Sequence, residues 1–417
     1  MLRSSRTRID LAIVFAIAVV SNFSYLTLSN GDFYYPDSFT YLTPAANILH
    51  GLGFVDETRA AETIRTPGYP LLLVLFGART LPVIIFQHLL NAGLAIAIYL
   101  FVIHRMGDRL IALVASLLFA LDTPTIHYAN KLLTETLFTV LLYVVFVLAL
   151  QRPRPILIGI LTGLLVLIRP IALFFFVALA IFFTLQRIPA RKLVAFAALA
   201  LALPVGWAAR NKVRTGVFTV SSIGGINMLA YRAAGALAIE DEDDFRKAVA
   251  DEENELIDQA DDEIQAKLQI PDAEELSEAV RSQYYSKFAW RVIGKHPLAF
   301  GQLTLRGVLV NLFDSDWDAI WDVSTLSPAV LELSLGAVPI IIFGLATIGI
   351  IALWRSDRAM ALLILLTAGY FLGISAGGEA ESRFRVPVIP QLAIAAAAGM
   401  AAVRRGLATS QAVANSR

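Results

Sequence analysis

The stretch "LPVIIFQHLLNAGLAIAIYLFVIHRMGDRLIALVASLLFALD", residues 81–122, decides the class of the molecule. It is hydrocarbon up to Ile103, is interrupted by Arg105, Asp108 and Arg109, and then returns to hydrocarbon. An apolar helix of about 20 residues is what a bilayer core of about 30 Å requires, so two such runs joined by a short basic turn read as a membrane hairpin. Runs of this kind recur at 10–29, 81–103, 109–122, 132–150, 155–168, 170–186, 192–208, 331–354, 358–376 and 386–403. Some are short enough to be tilted or only partly crossing. Composition agrees: the 417 residues are 57% hydrophobic, with a mean hydropathy of +0.67. The expected fold is an all-α integral membrane protein of about ten transmembrane helices, with helices in the outer-face loops.

Charge sets the orientation. Arg3, Arg6, Arg8, Arg105, Arg109, Arg152, Arg154, Arg187, Arg191, Lys192, Arg355, Arg358, Arg404 and Arg405 all fall in alternate connections. The positive-inside rule then puts both termini in the cytoplasm. The first run reads as an uncleaved anchor, because its "AIA" at 16–18 lies inside the apolar segment. Two outer segments are long, 30–80 and 209–330, and they suggest three regions. These are an N-terminal membrane module over 1–208, an extracytoplasmic helical region over 209–330, and C-terminal membrane helices with a short tail over 331–417. No internal repeat is visible in the apolar pattern.

The zero net charge conceals an asymmetry. Seventeen of the 34 carboxylates lie between Glu240 and Glu278, opposed there by Arg246, Lys247 and Lys267 alone, so the rest of the chain is basic. Within that acidic segment Phe245, Val249, Leu256, Ile257, Ile264 and Leu268 recur at helical spacing, and Pro271 with Asp272 marks a second helix start. The reading is a solvated helical hairpin. With no cysteine there is no disulfide, thiolate nucleophile or zinc-thiolate site, and five scattered histidines make no metal cluster.

The outer segments carry polar groups unusual for such a chain. "YYPDSFTYLTPAANILHG", 34–51, sets Asp37 before a short helix bearing Tyr41 and stopping at Gly51. Taken alone, Asp37 there reads as a helix N-cap and the tyrosines as interfacial anchors. "TIRTPGYPLLL" supplies Arg65 and Tyr69, "KLLTETLF" puts Lys131 and Glu135 at i, i+4, and "LLVLIRPIAL" sets Arg169 between two apolar runs. "GWAARNKVRTG" adds Arg210 and Asn211, and "GEAESRFRVPVIP" adds Glu379, Glu381, Arg383 and Arg385. A cation at such a depth is costly unless it is paired or faces a wet cavity, with snorkelling to headgroups as the structural alternative. Several arginines converging on one face suit phosphate, whose oxygens match the guanidinium fork. Such a set beside a loop carboxylate fits chemistry on a lipid phosphate carrying a sugar: cations stabilise the leaving phosphate, and Asp37 takes the acceptor's proton.

In their order these residues resemble the GT-C superfamily of integral membrane glycosyltransferases. Most similar is the branch of the dolichyl-phosphate-mannose protein mannosyltransferases and the bacterial aminoarabinose or Rgt-type lipopolysaccharide sugar transferases. The matching pieces are "PDSFTYLTPAANILHGLGF", "RTPGYPLLLVLFG", "TETLF", "GLLVLIRPIAL", "GWAARNKVRTGVFTVSSIGGINML" and "RFRVPVIPQLAIAAAAG", spread over residues 30–400. The resemblance implies a polyprenyl-phosphate sugar donor, an outer-face site on the plasma membrane, and Asp37 as catalytic base or metal-site carboxylate. It implies donor-phosphate contact for Arg65, Arg169, Arg210, Arg383 and Arg385, with Tyr41, Tyr69, Lys131, Glu135 and Asn211 lining the substrate. Many relatives have adjacent acidic residues where this chain has Asp37 followed by Ser38, and with only "VRRGLATSQAVANSR" after the last apolar run no large soluble C-terminal domain is expected.

A divalent cation is compatible with this chemistry but not required by the sequence. Its other candidate ligands are Asp314, Asp316, Asp318 and Asp322 in "NLFDSDWDAIWD", where Trp317 and Trp321 fit an interfacial belt equally well. "SSIGGIN", 221–227, lacks a phosphate-loop context and reads as a turn or a substrate-lining loop. The expected function is an inverting transfer of sugar to an acceptor hydroxyl on a glycan, lipid or protein, with membrane lipid as surroundings and no nucleic acid partner. The alternatives are a transporter or flippase of an anionic lipid or solute, a glycan ligase or polymerase with a lipid-diphosphate donor, and an assembly subunit.

Overall fold

The computed structural model describes residues 5–151, 154–240, 244–315 and 327–415, and among these it is all-helical apart from one isolated bridge between Val55 and Ala61. Asp316, Trp317, Asp318, Trp321 and Asp322 lie outside the described residues, and so does Arg152. The helices are α1 Ser5–Leu28, α2 Ser38–Leu49, α3 Gly68–Leu75, α4 Thr80–Met106, α5 Arg109–Ala120, α6 Thr123–Ala129, α7 Glu135–Gln151, α8 Pro155–Ile168 and α9 Phe175–Leu185. They continue with α10 Ala190–Thr215, α11 Ile223–Asn227, α12 Ala234–Leu237, α13 Phe245–Leu268, α14 Glu278–Lys295, α15 Pro297–Phe313, α16 Pro328–Ser356, α17 Arg358–Ile374 and α18 Ile389–Asn415.

Five described helices are long and apolar enough to cross a membrane, and α5 with α6, bent by 50° at their junction, makes a sixth if the pair is one span. Shorter apolar helices run over Glu135–Gln151, Pro155–Ile168, Pro170–Leu185 and Arg358–Ile374. At a rise of about 1.5 Å per residue these reach roughly 21–26 Å, short of a full hydrocarbon core. The protein is thus helical and multi-pass, with five or six spans by helix length and the shorter apolar helices beside them. The breaks follow local chemistry. Asp122 ends the α5 run by accepting from the Thr125 amide and hydroxyl, and Pro124 starts the next helix. Gly107, at φ +68°, turns the chain after α4, where a left-handed residue closes the helix end.

Small residues draw the helices together. A Cβ added to Gly349 on α16 would lie 1.8 Å from the Ala395 carbonyl oxygen of α18, and one on Gly399 of α18 would lie 1.9 Å from the Leu345 oxygen of α16. Gly159 and Gly163 of α8 approach the Phe196 and Ala200 carbonyls of α10 in the same way. Helices in lipid have little hydrophobic drive to associate, so close backbone approach through such residues supplies the packing.

The acidic segment is more than a solvated hairpin. Helices α13 and α14 share an apolar core with the π-helix Met228–Ala233, α12 and Leu303 of α15. Phe245, Val249, Leu256 and Ile264 are buried in that core, Ile257 packs at its edge, and Leu268 is exposed. Asp272 caps a short 3-10 turn rather than the helix, which begins six residues later at Glu278. "SSIGGIN" forms α11 instead of a turn; Gly225 is pressed on Ser282, whose hydroxyl donates to the Ser222 carbonyl.

Gly349→Ala and Gly399→Ala should each separate α16 from α18. Each is expected to lower the detergent melting temperature by several degrees, whereas Gly344→Ala, which meets nothing within 4 Å, should leave it unchanged. Thermal unfolding of the three purified variants checks this.

Candidate functional site

Three segments far apart in sequence meet at one end of the bundle: the first long loop with α2, the start of α7, and the turn Ser382–Val388 before α18. Asp37 holds the N-cap position of α2 yet makes no capping hydrogen bond. Its carboxylate instead accepts from Arg65 Nη2 at 2.7 Å through Oδ1 and from Arg383 Nη1 at 3.0 Å through Oδ2. The plain N-cap reading of Asp37 is therefore replaced by a pairing that spans nearly the whole chain.

Each arginine is itself held. Arg65 donates from Nε to Thr40 Oγ1 at 2.7 Å and from Nη1 to the Tyr41 hydroxyl at 3.3 Å, with its guanidinium 4.7 Å above the Tyr41 ring. Its backbone amide donates to buried Glu62. Arg383 lies over the Tyr35 ring and donates from Nε to Glu135 Oε1. Arg169 Nη1 is 3.0 Å from the same Glu135 oxygen but out of line for a hydrogen bond, so that donor remains unspent. The result is one chain of alternating charge, Arg65, Asp37, Arg383, Glu135, Arg169, with only Asp37 appreciably open to solvent at 33% side-chain exposure.

Electrostatics follow from this pairing. Burial pushes the Asp37 carboxyl upward, but the Arg65 and Arg383 guanidiniums outweigh burial and hold it below the usual carboxylate range. A depressed carboxyl stabilises the fold above its unfolded pKa and loses that contribution as pH falls through the lower folded value. Beside it Glu381 accepts from the Tyr35 hydroxyl at 3.0 Å. Burial drives the Glu381 carboxyl above its ordinary value, against the pull of Arg383. The site thus combines a carboxylate kept ionised with one displaced towards protonation.

The sequence expectations divide here. Asp37, Arg65, Arg169, Arg383, Glu135 and Tyr41 come together. Tyr69 does not line an open surface: it is fully buried and donates to Gln87 Oε1, while Gln87 Nε2 donates to the Ala129 and Lys131 carbonyls. Lys131 and Glu135 share no helical face, because α7 begins only at Glu135, and Lys131 Nζ goes to Asp32 at 2.5 Å. Arg210 is also separate. It donates to the Glu62 and Phe54 carbonyls, stacks on Trp207, and receives Asn211 as a neighbouring acceptor, so it clamps the first loop onto α10. Asn211 is buried and donates to the Thr219 carbonyl. Arg385 donates to the Asp314 carbonyl at the end of α15.

Tyr35 and Thr40 belong to the site but are not among the expected residues, and Glu381, noted with the outer polar groups but given no role, joins them. The available signal was spacing: Tyr35 stands two residues before Asp37, and Glu381 two before Arg383. Among the described residues no group of three or more His, Asp or Glu side chains converges to hold a metal. Asp314, the described member of the acidic cluster, accepts from the Ser382 amide and so fixes the turn carrying Arg383.

No family model matches the chain, and no curated protein matches it. Solved structures do. The archaeal oligosaccharyltransferase AglB from Archaeoglobus fulgidus, in complex with an inhibitory peptide and a dolichol-phosphate, aligns with a TM-score of 0.53 at 13% identity, covering 99% of this chain and 52% of that one. The Archaeoglobus fulgidus oligosaccharyltransferase tethered by a disulfide to an acceptor peptide containing the NVT sequon gives 0.51 at 13% identity, covering 99% and 51%. The chain spans about half the length of these proteins, and what it shares with them at this identity is the fold.

Proposed function

We propose that this protein is an inverting glycosyltransferase of the plasma membrane. It moves a sugar from a polyprenyl-phosphate donor to an acceptor hydroxyl at the extracytoplasmic face, with both termini cytoplasmic. The observation that carries the reading is Asp37, held ionised between two arginines from opposite ends of the chain. The GT-C fold of the neighbours and the dolichol-phosphate in one of their structures support a lipid-phosphate donor.

The chemistry is a single displacement. The acceptor oxygen attacks the anomeric carbon as its proton passes to Asp37, and the bond from that carbon to the phosphate oxygen breaks. The leaving polyprenyl phosphate carries the electron pair to the guanidiniums of Arg65, Arg169 and Arg383. In the free protein these three cations are matched by Asp37, Glu135 and Glu381. A donor phosphate therefore has to draw guanidinium donors away from carboxylates. Asp37, the most exposed of the three, gives up its share most readily. Losing it raises the proton affinity of the same carboxylate that must act as base, so donor binding readies the site. Arg210 and Arg385 hold backbone and keep the loops in register around this exchange.

A second reading has one specific support. The similar structures are oligosaccharyltransferases, so transfer of a preassembled glycan from a lipid diphosphate shares both fold and leaving-group chemistry. Offering the purified protein a set of polyprenyl monophosphate monosaccharides and diphosphate oligosaccharides separates the two by which donor is consumed.

Asp37→Asn should cut transfer by about 10²-fold to 10⁴-fold, the range for removing a general base, in protein that still folds and binds donor lipid, with a lowered melting temperature because Arg65 and Arg383 lose their carboxylate partner. Transfer by a folded variant at the wild-type rate would remove Asp37 from the reaction. The acid limb of kcat/KM, which reports free protein, is expected below the ordinary carboxylate range. The acid limb of kcat should lie at higher pH, because bound donor has taken guanidinium from Asp37. Coincident limbs in the two profiles would sink the exchange.

A further inference from the structure

The opposite end of the bundle carries an unassigned amphipathic cleft. Between α4 and α7 an apolar cavity of about 500 Å³ is walled by Leu100, Phe101, Tyr143, Val147 and Leu148. It shares His104, Leu148 and Gln151 with a second cavity of about 580 Å³, whose remaining walls are Arg105 and Arg154. The two form one channel, hydrocarbon along its length and basic at its end. The channel is remote from the Asp37 site: Gln87, which meets Tyr69 and Lys131 at that end of α4, is seventeen residues from His104, about 25 Å along a helix.

Charge at the mouth selects the occupant. Arg105 is already committed, donating to both oxygens of Asp357 at 2.7 and 3.1 Å and to the Leu150 carbonyl. Arg154 is exposed, with no ion pair among the described residues, and exposed His104 and Gln151 stand beside it as further donors. The mouth is therefore positive beyond what its own carboxylate matches. A basic pocket between membrane helices on the cytoplasmic side binds anionic headgroups, and the apolar walls suit an acyl chain. We infer that this cleft binds an anionic glycerophospholipid of the inner leaflet, its phosphate on Arg154, His104 and Gln151 and one acyl chain between α4 and α7. The inner-leaflet assignment rests on the membrane orientation proposed above, while the lipid chemistry does not depend on the transferase reading.

The test uses the full-length protein in nanodiscs of phosphatidylcholine with a minor fraction of phosphatidylglycerol, extracted gently and weighed by native mass spectrometry. Wild type should retain phosphatidylglycerol at least 10-fold above its share of the bilayer. The His104→Ala/Arg154→Ala double variant, altered only at exposed positions, should lose that enrichment while melting as wild type does in pure phosphatidylcholine. Leu148→Trp, which fills the cleft, should lose the retained lipid altogether. Retention of the two lipids in proportion to the bilayer by wild type, or undiminished phosphatidylglycerol on the folded double variant, would overturn the assignment. Transfer activity at wild-type level in a variant that has lost the lipid would leave the inference standing and show that the two ends of the molecule work independently.

Discussion

The arrangement of the site depends on one side chain, Arg383, which is buried and shared between Asp37 and Glu135. A guanidinium removed from water costs several kcal/mol unless its donors are met, and here two carboxylates from the first loop and from α7 meet them. Because the cost falls on whichever group is left alone, the three segments are bound to one geometry. If α7 is displaced, Arg383 loses Glu135; if the first loop lifts, it loses Asp37. Arg169 and Arg65 extend the same constraint to the α8 junction and the loop before α3. A membrane protein with little hydrophobic force between its helices obtains positional accuracy at this end from charge.

Further constraints hold the loops that carry these charges. Arg210 fastens the first loop by its backbone to α10, and Asn311 and Asp314 receive the Glu381 and Ser382 amides just before Arg383. From the other side, Arg232 of the π-helix donates to the Ile374 and Ala376 carbonyls at the end of α17 and to Glu379. Gly377 and Gly378 are required there, since any Cβ would collide with Arg232 or with the Tyr231 carbonyl. The helical region around α13 and α14 is thereby fixed directly to the segment that presents Glu381 and Arg383. Its distinct apolar core lets it act as one body on that segment.

Much of this was legible in the sequence for reasons of periodicity and solvation. Hydrocarbon runs located the long helices, and Gly51, at φ +75°, ended α2 as a left-handed glycine does. Arginines too deep to be incidental marked Arg65, Arg169 and Arg383. What the sequence could not supply was partnership. Nothing in "KLLTETLF" tells that Lys131 turns to Asp32 while Glu135 turns to two arginines hundreds of residues distant or on the next helix. Arg210 and Arg385 look like Arg383 in composition and depth, yet they face main-chain carbonyls rather than carboxylates. Helix length was also hard to read, because α5 and α6 are parted only by Leu121 and Asp122, and a break of two residues converts a span into a bend.

The matched charges at the Asp37 end have a mechanistic consequence. A site with three free arginines would bind phosphate tightly before and after reaction and would hold its leaving group. With carboxylates already on those arginines, the proposed donor phosphate would bind by exchange, and the carboxylates would return as competitors after transfer. Glu381 is the weaker competitor, since burial moves it towards protonation and the Tyr35 hydroxyl gives it a donor of its own. Glu135 is fully buried between Arg169 and Arg383 and fixes the position of both guanidiniums. On the transfer proposed above, the same ion pairs that hold the fold together would also set the strength with which the site grips a lipid phosphate and the ease with which it lets one go.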